Sequence, residues 1–255
     1  MTPAAPQPLL ENAGLAFVGE RPWISAGLSA AQARALEAAR NPTGRPNRDV
    51  VRHFIGCKSG PGSGHHQIDF PEYFTAQEAA LYLQPWQLLR RQLKDPVGSW
   101  WLNPHAQREL RTALARLERY LATPLVAPEP AWDWIDSNQL PDDSLLVVAR
   151  DDDFTHGLLG SRLFQLWWRQ HSRRLPPANL VASYPFPWPP ATLLSALTRT
   201  QEEQRLALAR ASRSGDLEQL NTAVLAAYGW PPDLPDEAQL AHLTELNRQR
   251  TPAGL

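Results

Sequence analysis

The feature that most constrains this chain is a change of texture at Tyr184-Pro185-Phe186-Pro187-Trp188-Pro189-Pro190. Proline fixes φ and removes an amide donor, so such a run can neither continue a helix nor lie inside a sheet. It reads as an extended segment or a linker. Beyond it the pattern is helical: about Thr192 to Arg213, Asp216 to Tyr228, and Asp236 to about Arg250. The middle helix carries Leu217, Leu220, Val224 and Tyr228 on one face, with Gly229 as its C-terminal cap and Pro231 beyond. Before it, helices mix with short strands. The predicted fold class is α+β, with mixed helices and short antiparallel strands over residues 1–190 and an all-helical tail over 191–255.

Within the first part, residues 1 to 10 are Pro- and Ala-rich and read as a loose end. Ser29 caps a helix reaching about Arg40, which Asn41-Pro42-Thr43-Gly44-Arg45-Pro46 stops. Val50 to Ile55 and His65 to Phe70 read as strands around the loop Ser59-Gly60-Pro61-Gly62-Ser63-Gly64. Thr75 and Glu78 make a capping box for a helix through Leu81, Leu88 and Arg91, with a kink at Pro85. Leu110, Leu114, Leu117 and Leu121 form one apolar stripe, which predicts a helix from about Pro104 to Leu121. Trp132 to Asp136 and Leu145 to Ala149 read as strands able to pair as a hairpin. A further helix is expected from Gly157 to about Gln170.

The 255 residues suffice for one large or two small domains, and an apolar fraction of 43% argues for a folded chain. Basic and acidic side chains nearly cancel, 25 against 26. That balance excludes a uniformly basic protein held on DNA by bulk charge and argues against an acidic DNA mimic. Cys57, the single cysteine, can form no intrachain disulfide and no multi-cysteine zinc site. No apolar run approaches the ~18–20 residues of a membrane span, and the first residues lack a signal peptide's basic and hydrophobic regions. The expectation is a soluble, cytoplasmic protein with no membrane partner.

Catalytic motifs fail one after another. Gly60-Pro61-Gly62-Ser63-Gly64 lacks both the Gly-Lys-Ser/Thr of a phosphate loop and the spacing of a nucleophile elbow. Cys57, His65, His66 and Asp69 show no recognised metal-ligand spacing. Asp151-Asp152-Asp153 follows a strand, where metal nucleases place carboxylates, but no lysine follows Lys94. The trio reads as a strand end or turn. No metal and no cofactor is expected in this chain, and it is expected to be non-catalytic alone.

Nucleic-acid signals are diffuse but present. All basic residues except Lys58 and Lys94 are arginine, which suits bidentate contact with phosphate and guanine. The loop residues Arg45, Asn47, Arg48, Arg52 and Lys58 offer donors for base edges, and His65 and His66 adjoin them. Residues 84 to 119 hold Arg90, Arg91, Lys94, Arg108, Arg111, Arg116 and Arg119 against Asp95, Glu109 and Glu118. From Thr155 to Pro190, Arg162, Arg169, Arg173 and Arg174 occur with no acid. Such local excess can present a phosphate-binding face; solvated helix faces are the competing reading. The tryptophans read as core, and at least one of Trp167 and Trp168 should face inward.

A series of segments carries a resemblance: Asn41-Pro42-Thr43-Gly44-Arg45-Pro46-Asn47-Arg48-Asp49-Val50-Val51, Ile68-Asp69-Phe70, Trp100-Trp101 and Arg119 to Val126, then Val147 to Phe154, Tyr184 to Pro189 and Ala226 to Pro231. In this order and spacing they resemble the C-terminal part of large MmeI-like (type IIG/IIL-like) DNA adenine-N6 methyltransferases, which include single-chain restriction–modification enzymes and phage-defence methylases. The resemblance implies a target-recognition domain with a helical tail. In that family an N-terminal Rossmann-like domain binds S-adenosylmethionine and holds an Asn-Pro-Pro-Tyr motif. Here that motif is absent, since Asn103-Pro104-His105 fails at its third position. Val126 to Trp132 also departs, being acidic and Pro-rich where relatives are basic. The resemblance therefore implies a specificity subunit that binds double-stranded DNA and serves a methyltransferase subunit or domain carrying the S-adenosylmethionine. The alternative is a protein-interaction or assembly subunit of a defence system that no longer reads DNA.

Overall fold

The computed structural model describes residues 5 to 57 and 64 to 252. The strands, in chain order, are β1 (Ala16–Val18), β2 (Gly27–Leu28), β3 (Val51–Ile55), β4 (His65–Ile68), β5 (Arg119–Pro124), β6 (Asp133–Asp136), β7 (Gln139–Pro141) and β8 (Leu145–Val148). Four helices precede β5: α1 (Ala30–Ala38), α2 (Ala76–Ala80), α3 (Leu83–Gln92) and α4 (Arg108–Leu114). Six follow β8: α5 (Asp153–Gly160), α6 (Arg162–His171), α7 (Pro177–Ala182), α8 (Arg199–Ser214), α9 (Leu217–Ala227) and α10 (Asp236–Arg250). The fold is α+β with a helical C-terminal region.

Two small sheets organise the strands. One has the order β1-β8-β5-β6 and is antiparallel; the other runs β2-β4-β3-β7, with β3 and β7 parallel. In the first sheet β5 is central, so Tyr120 to Thr123 are all buried. Alternation along the strand sends Leu121 to one face and Tyr120 and Ala122 to the other. Leu121, Leu146 and Val148 pack with α5, α6 and the C-terminal helices, whereas Tyr120, Ala122 and Val147 pack with Leu110 and Leu114 of α4. The second sheet has its own core, where Val51 and Ile68 meet Ala33 and Leu36 of α1, Leu89 of α3 and Trp23.

A buried ionic triad ties the two sheets together. Arg111 of α4 bonds Glu20, just after β1, through Nε at 2.6 Å and a terminal amine at 2.7 Å, and reaches Asp69, just after β4, at 2.9 Å. The Glu20 side chain is fully buried and that of Asp69 only 2% exposed. Burial opposes the charge on Arg111, but the Glu20 and Asp69 carboxylates outweigh it and hold the guanidinium firmly protonated. Burial pushes the Asp69 carboxyl up, and Arg111 restrains that rise.

Several local expectations are corrected. The leucine stripe ends as helix at Leu114, and Leu121 lies in β5, because Tyr120 to Thr123 fill a central strand. Trp132–Asp136 and Leu145–Ala149 are not partners: β6 and β8 each pair with opposite edges of β5. Pro85 kinks nothing. The chain breaks at Leu81-Tyr82 instead, and Pro85 sits in the first turn of α3, where no intrahelical amide bond is lost. The helix expected from Gly157 is two helices split at Ser161, whose hydroxyl caps α6 by accepting from the Phe164 amide. The first helix of the C-terminal region begins at Arg199, capped by Thr198 and Gln201, rather than near Thr192. Tyr184 to Trp188 is extended but no linker: Tyr184, Phe186 and Trp188 are buried, and the Tyr228 hydroxyl donates to the Pro185 carbonyl at 3.0 Å. Side chains from both sides of Pro190 share one core, with Leu158, Trp167 and Tyr184 against Leu208, Val224 and Leu243.

Candidate nucleic-acid interface

The loop after α1 is held from inside by two asparagines. Asn47 donates to the Leu36 carbonyl at 2.7 Å, and Asn41 donates to the Arg45 carbonyl and to the Asn47 side chain, each at 2.6 Å. Gly44, at φ +75°, makes the reversal that a side chain would strain. Arg45 and Arg48 are thereby left exposed on a backbone that is itself fixed. The Arg45 guanidinium lies 6.0 Å from the centre of the Tyr82 ring, and the Tyr82 hydroxyl donates to Asp49 at 3.0 Å. Asn47 is a correction. It is fully buried with its amide engaged by the loop, so it cannot reach a base edge.

The loop leads into the β3–β4 ladder, where Arg52 is half-buried opposite Gln67. His53 stands opposite His66, their rings stacked at 4.7 Å, and His65 stacks on Phe54 at 5.2 Å. Burial, with the neighbouring His66 and His65, holds His53 below the ordinary histidine range, against Glu37. Burial lowers His65 as well, partly offset by Asp142 and Asp143 and aided by His66. Neutral imidazoles both donate and accept, which suits a base edge or a phosphate oxygen. His53 was missed in the sequence, although pairing the two strands about their loop would have placed it beside His66. Lys58 lies outside the described residues.

The other arginines expected at phosphates separate by their surroundings. Arg90 and Arg91 are exposed near the C-terminal end of α3, with Arg90 5.5 Å from the Trp100 ring centre and Arg91 donating to the Gln87 carbonyl at 3.1 Å. Arg162 and Arg169 are exposed but engaged within the chain, with Asp236 at 2.6 Å and Glu129 at 2.8 Å. Arg173 and Arg174 are exposed just beyond α6. Arg111 and Arg119 leave the expected phosphate face altogether: the first is in the buried triad, and the second bonds Asp153 at 2.9 Å and lies 3.7 Å from the Trp134 ring centre. The acidic trio Asp151–Asp153 is a helix start, with Asp152 capping α5 and Asp153 also bonding Arg213 at 2.8 Å. Among the described residues no three His, Cys, Asp or Glu side chains gather as metal ligands would. No described helix is long and apolar enough to cross a membrane.

No family model and no curated protein matches the sequence. One solved structure that it matches in shape is the type IIL restriction–modification enzyme MmeI in complex with DNA. The TM-score is 0.55 at 14% identity, over 98% of this chain and 36% of that one. The likeness is one of fold. The chain thus spans about a third of the enzyme it matches. Among the described strands only β3 and β7 pair parallel, so they form no open parallel sheet with a nucleotide crevice at its strand ends.

Proposed function

We propose that the chain is a DNA sequence-recognition module that serves a separate or missing S-adenosylmethionine-dependent adenine methyltransferase of a restriction–modification or phage-defence system. One observation carries the reading: the fold of nearly the whole chain matches that of part of an enzyme solved on DNA. The exposed arginines of the Asn-pinned loop agree with it. In this reading the chain binds duplex DNA, is non-catalytic alone, and leaves the methyl donor to its partner. Arg45, Arg48, Arg52, His65 and His66 form the reading head, while Arg90, Arg91, Arg173 and Arg174 meet phosphates.

Fluorescence anisotropy with labelled duplexes tests this, alone and with a cognate methylase. Binding should weaken linearly in log salt, by about 0.9 per phosphate contact. Absence of duplex binding at low salt, with and without the methylase, overturns the proposal. The second reading, an assembly subunit that no longer reads DNA, is favoured by Arg162 and Arg169 being engaged by Asp236 and Glu129. It predicts tight binding to a protein partner with no salt-dependent DNA affinity.

A further inference from the structure

Between α3 and α4 the chain makes a loop that the reading head does not use. Trp23, Pro96, Val97, Trp100, Pro104 and Lys94 line a cleft of about 300 Å³ there, at the small end of the ~300–1,000 Å³ range of small-molecule sites. Indole and pyrrolidine rings make up much of its wall, beside the aliphatic Leu93 and Leu102. Trp100 is positioned in advance by Trp86, with ring centres 4.3 Å apart, and by Trp101 at 6.2 Å. At the rim, Val97 is 82% exposed. Asp95 at φ 51° is the single non-glycine residue with positive φ among the described residues, and Gly98 follows at φ 57°. These two reversals frame Pro96-Val97 and hold an apolar tip outward. A lone exposed valine is unremarkable, but this one continues the wall of an aromatic cleft.

The charges around the cleft select its occupant. Arg90, Arg91 and Lys94 are exposed within five residues, with Asp95 as the one neighbouring acid on that stretch. Arg90 also lies against Trp100. An apolar peptide has no use for three cations, whereas a nucleotide presents a flat base and an anionic phosphate side by side. Aromatic walls beside a cationic rim are how proteins hold bases that have left the stack.

We infer that this cleft receives an unpaired nucleobase of the bound DNA, stacked against the Trp23–Trp100 wall, with Lys94 and Arg90 on the flanking phosphates. The inference rests on the DNA-recognition reading and adds a second point of engagement, away from the β3–β4 head. It predicts that the protein holds DNA with a displaced base better than an intact duplex.

The test compares two labelled duplexes of one sequence, fully paired or carrying a single bulged 2-aminopurine. The bulged duplex should bind several-fold tighter, and the 2-aminopurine emission should be quenched on binding. Trp100→Ala should remove the quenching and weaken bulged-DNA binding about fivefold to a hundredfold, with paired DNA little changed. Because Trp100 also packs on the core, Val97→Asp and Lys94→Glu, at exposed positions, supply the same reading without risk to folding. Equal affinity for the two duplexes overturns the inference alone, as does a bulge preference untouched by all three variants. No binding to either duplex overturns the DNA-recognition reading and the inference with it.

Discussion

Replacing Arg111 by Ala removes the cation that bridges two buried carboxylates, leaving Asp69 only the weaker influence of Arg52. Glu20 keeps one donor, the Gln107 amide at 2.9 Å, whereas the Oδ2 of Asp69 loses its ion pair and its Oδ1 is already without a partner. Breaking a buried ion pair from one side costs about 3–5 kcal/mol, a large share of the ~5–15 kcal/mol that folds a domain. We expect a loss of about 4 kcal/mol in urea denaturation at pH 7, followed by tryptophan fluorescence. The sign of the pH dependence is fixed. Burial raises the folded pKa of Asp69 above its unfolded value, and losing the guanidinium that restrains this rise raises it further, which is a stability contribution present at low pH and lost as pH rises through the raised value. The deficit of Arg111→Ala should therefore shrink between pH 7 and pH 5. The triple variant Glu20→Gln, Asp69→Asn, Arg111→Met should recover much of the loss, since it buries no charge. A loss below about 1 kcal/mol, or one equal at both pH values, would refute the view that this triad clamps the two sheets.

Arg45→Ala and Arg48→Ala should leave stability within about 0.5 kcal/mol while lowering DNA affinity. A phosphate contact would lower the salt slope by about 0.9, and a base contact would cost about 1–3 kcal/mol on the correct site alone; unchanged binding by both variants would misplace the reading head. Asn47→Ala, by contrast, should cost about 1–3 kcal/mol in thermal melts by opening the loop from within. Burial, with some help from Arg174, pushes His171 down to about 4, and both ring nitrogens are buried without partners. Its folded value lies below its unfolded one, so stability is lost as pH falls from about 6.5 towards 4. His171→Phe should flatten that acid decline in a melting-temperature series, and an unchanged decline would refute the assignment. At Gly157 of α5 an added Cβ would lie 2.6 Å from Leu208 of α8 and 3.0 Å from Leu220 of α9. Gly157→Ala should therefore cost about 1–3 kcal/mol of stability, and a neutral result would show that this three-helix contact is loose.

Local chemistry was legible in the sequence wherever one residue type decides the structure. Ser29 and Thr75 cap as their patterns require, Asp216 opens α9, and Gly229 closes it at φ +72°. What failed was the assignment of apolar runs whose burial is set from far away. The 4-3-4 spacing of Leu110 to Leu121 fits a helix, yet Leu121 faces Val148 across β5 and β8, a pairing no local window contains. The Pro-aromatic segment failed for a related reason. Proline excluded helix and sheet correctly, but only the helices after it reveal that its aromatic rings are core.

The site was legible in charge but not in exposure. Arginines cluster in sequence, and composition treats every one as available to phosphate; the fold divides them by what stands opposite. Arg111 meets Glu20, ninety-one residues earlier in the chain, and Asp69, so it holds the protein together. Arg162 and Arg169 find Asp236 and Glu129. Arg45 and Arg48 have no described acid within ion-pair distance, because buried Asn41 and Asn47 turn the loop outward between them. A near-neutral protein can bind a polyanion only if its compensating acids sit elsewhere than its cations. Here Glu20–Arg111 takes a carboxylate and an arginine out of the surface count, and Asp153–Arg119 and Asp236–Arg162 set an arginine and a carboxylate side by side, so that each cancels the other locally. The net charge of −1 therefore says little about the field in front of the β3–β4 ladder. If that field governs binding, reversing Arg48 to Glu should weaken DNA affinity more than reversing Arg169 to Glu, although each changes the net charge equally. Equal effects would mean that total charge, rather than the pairing pattern, controls the encounter.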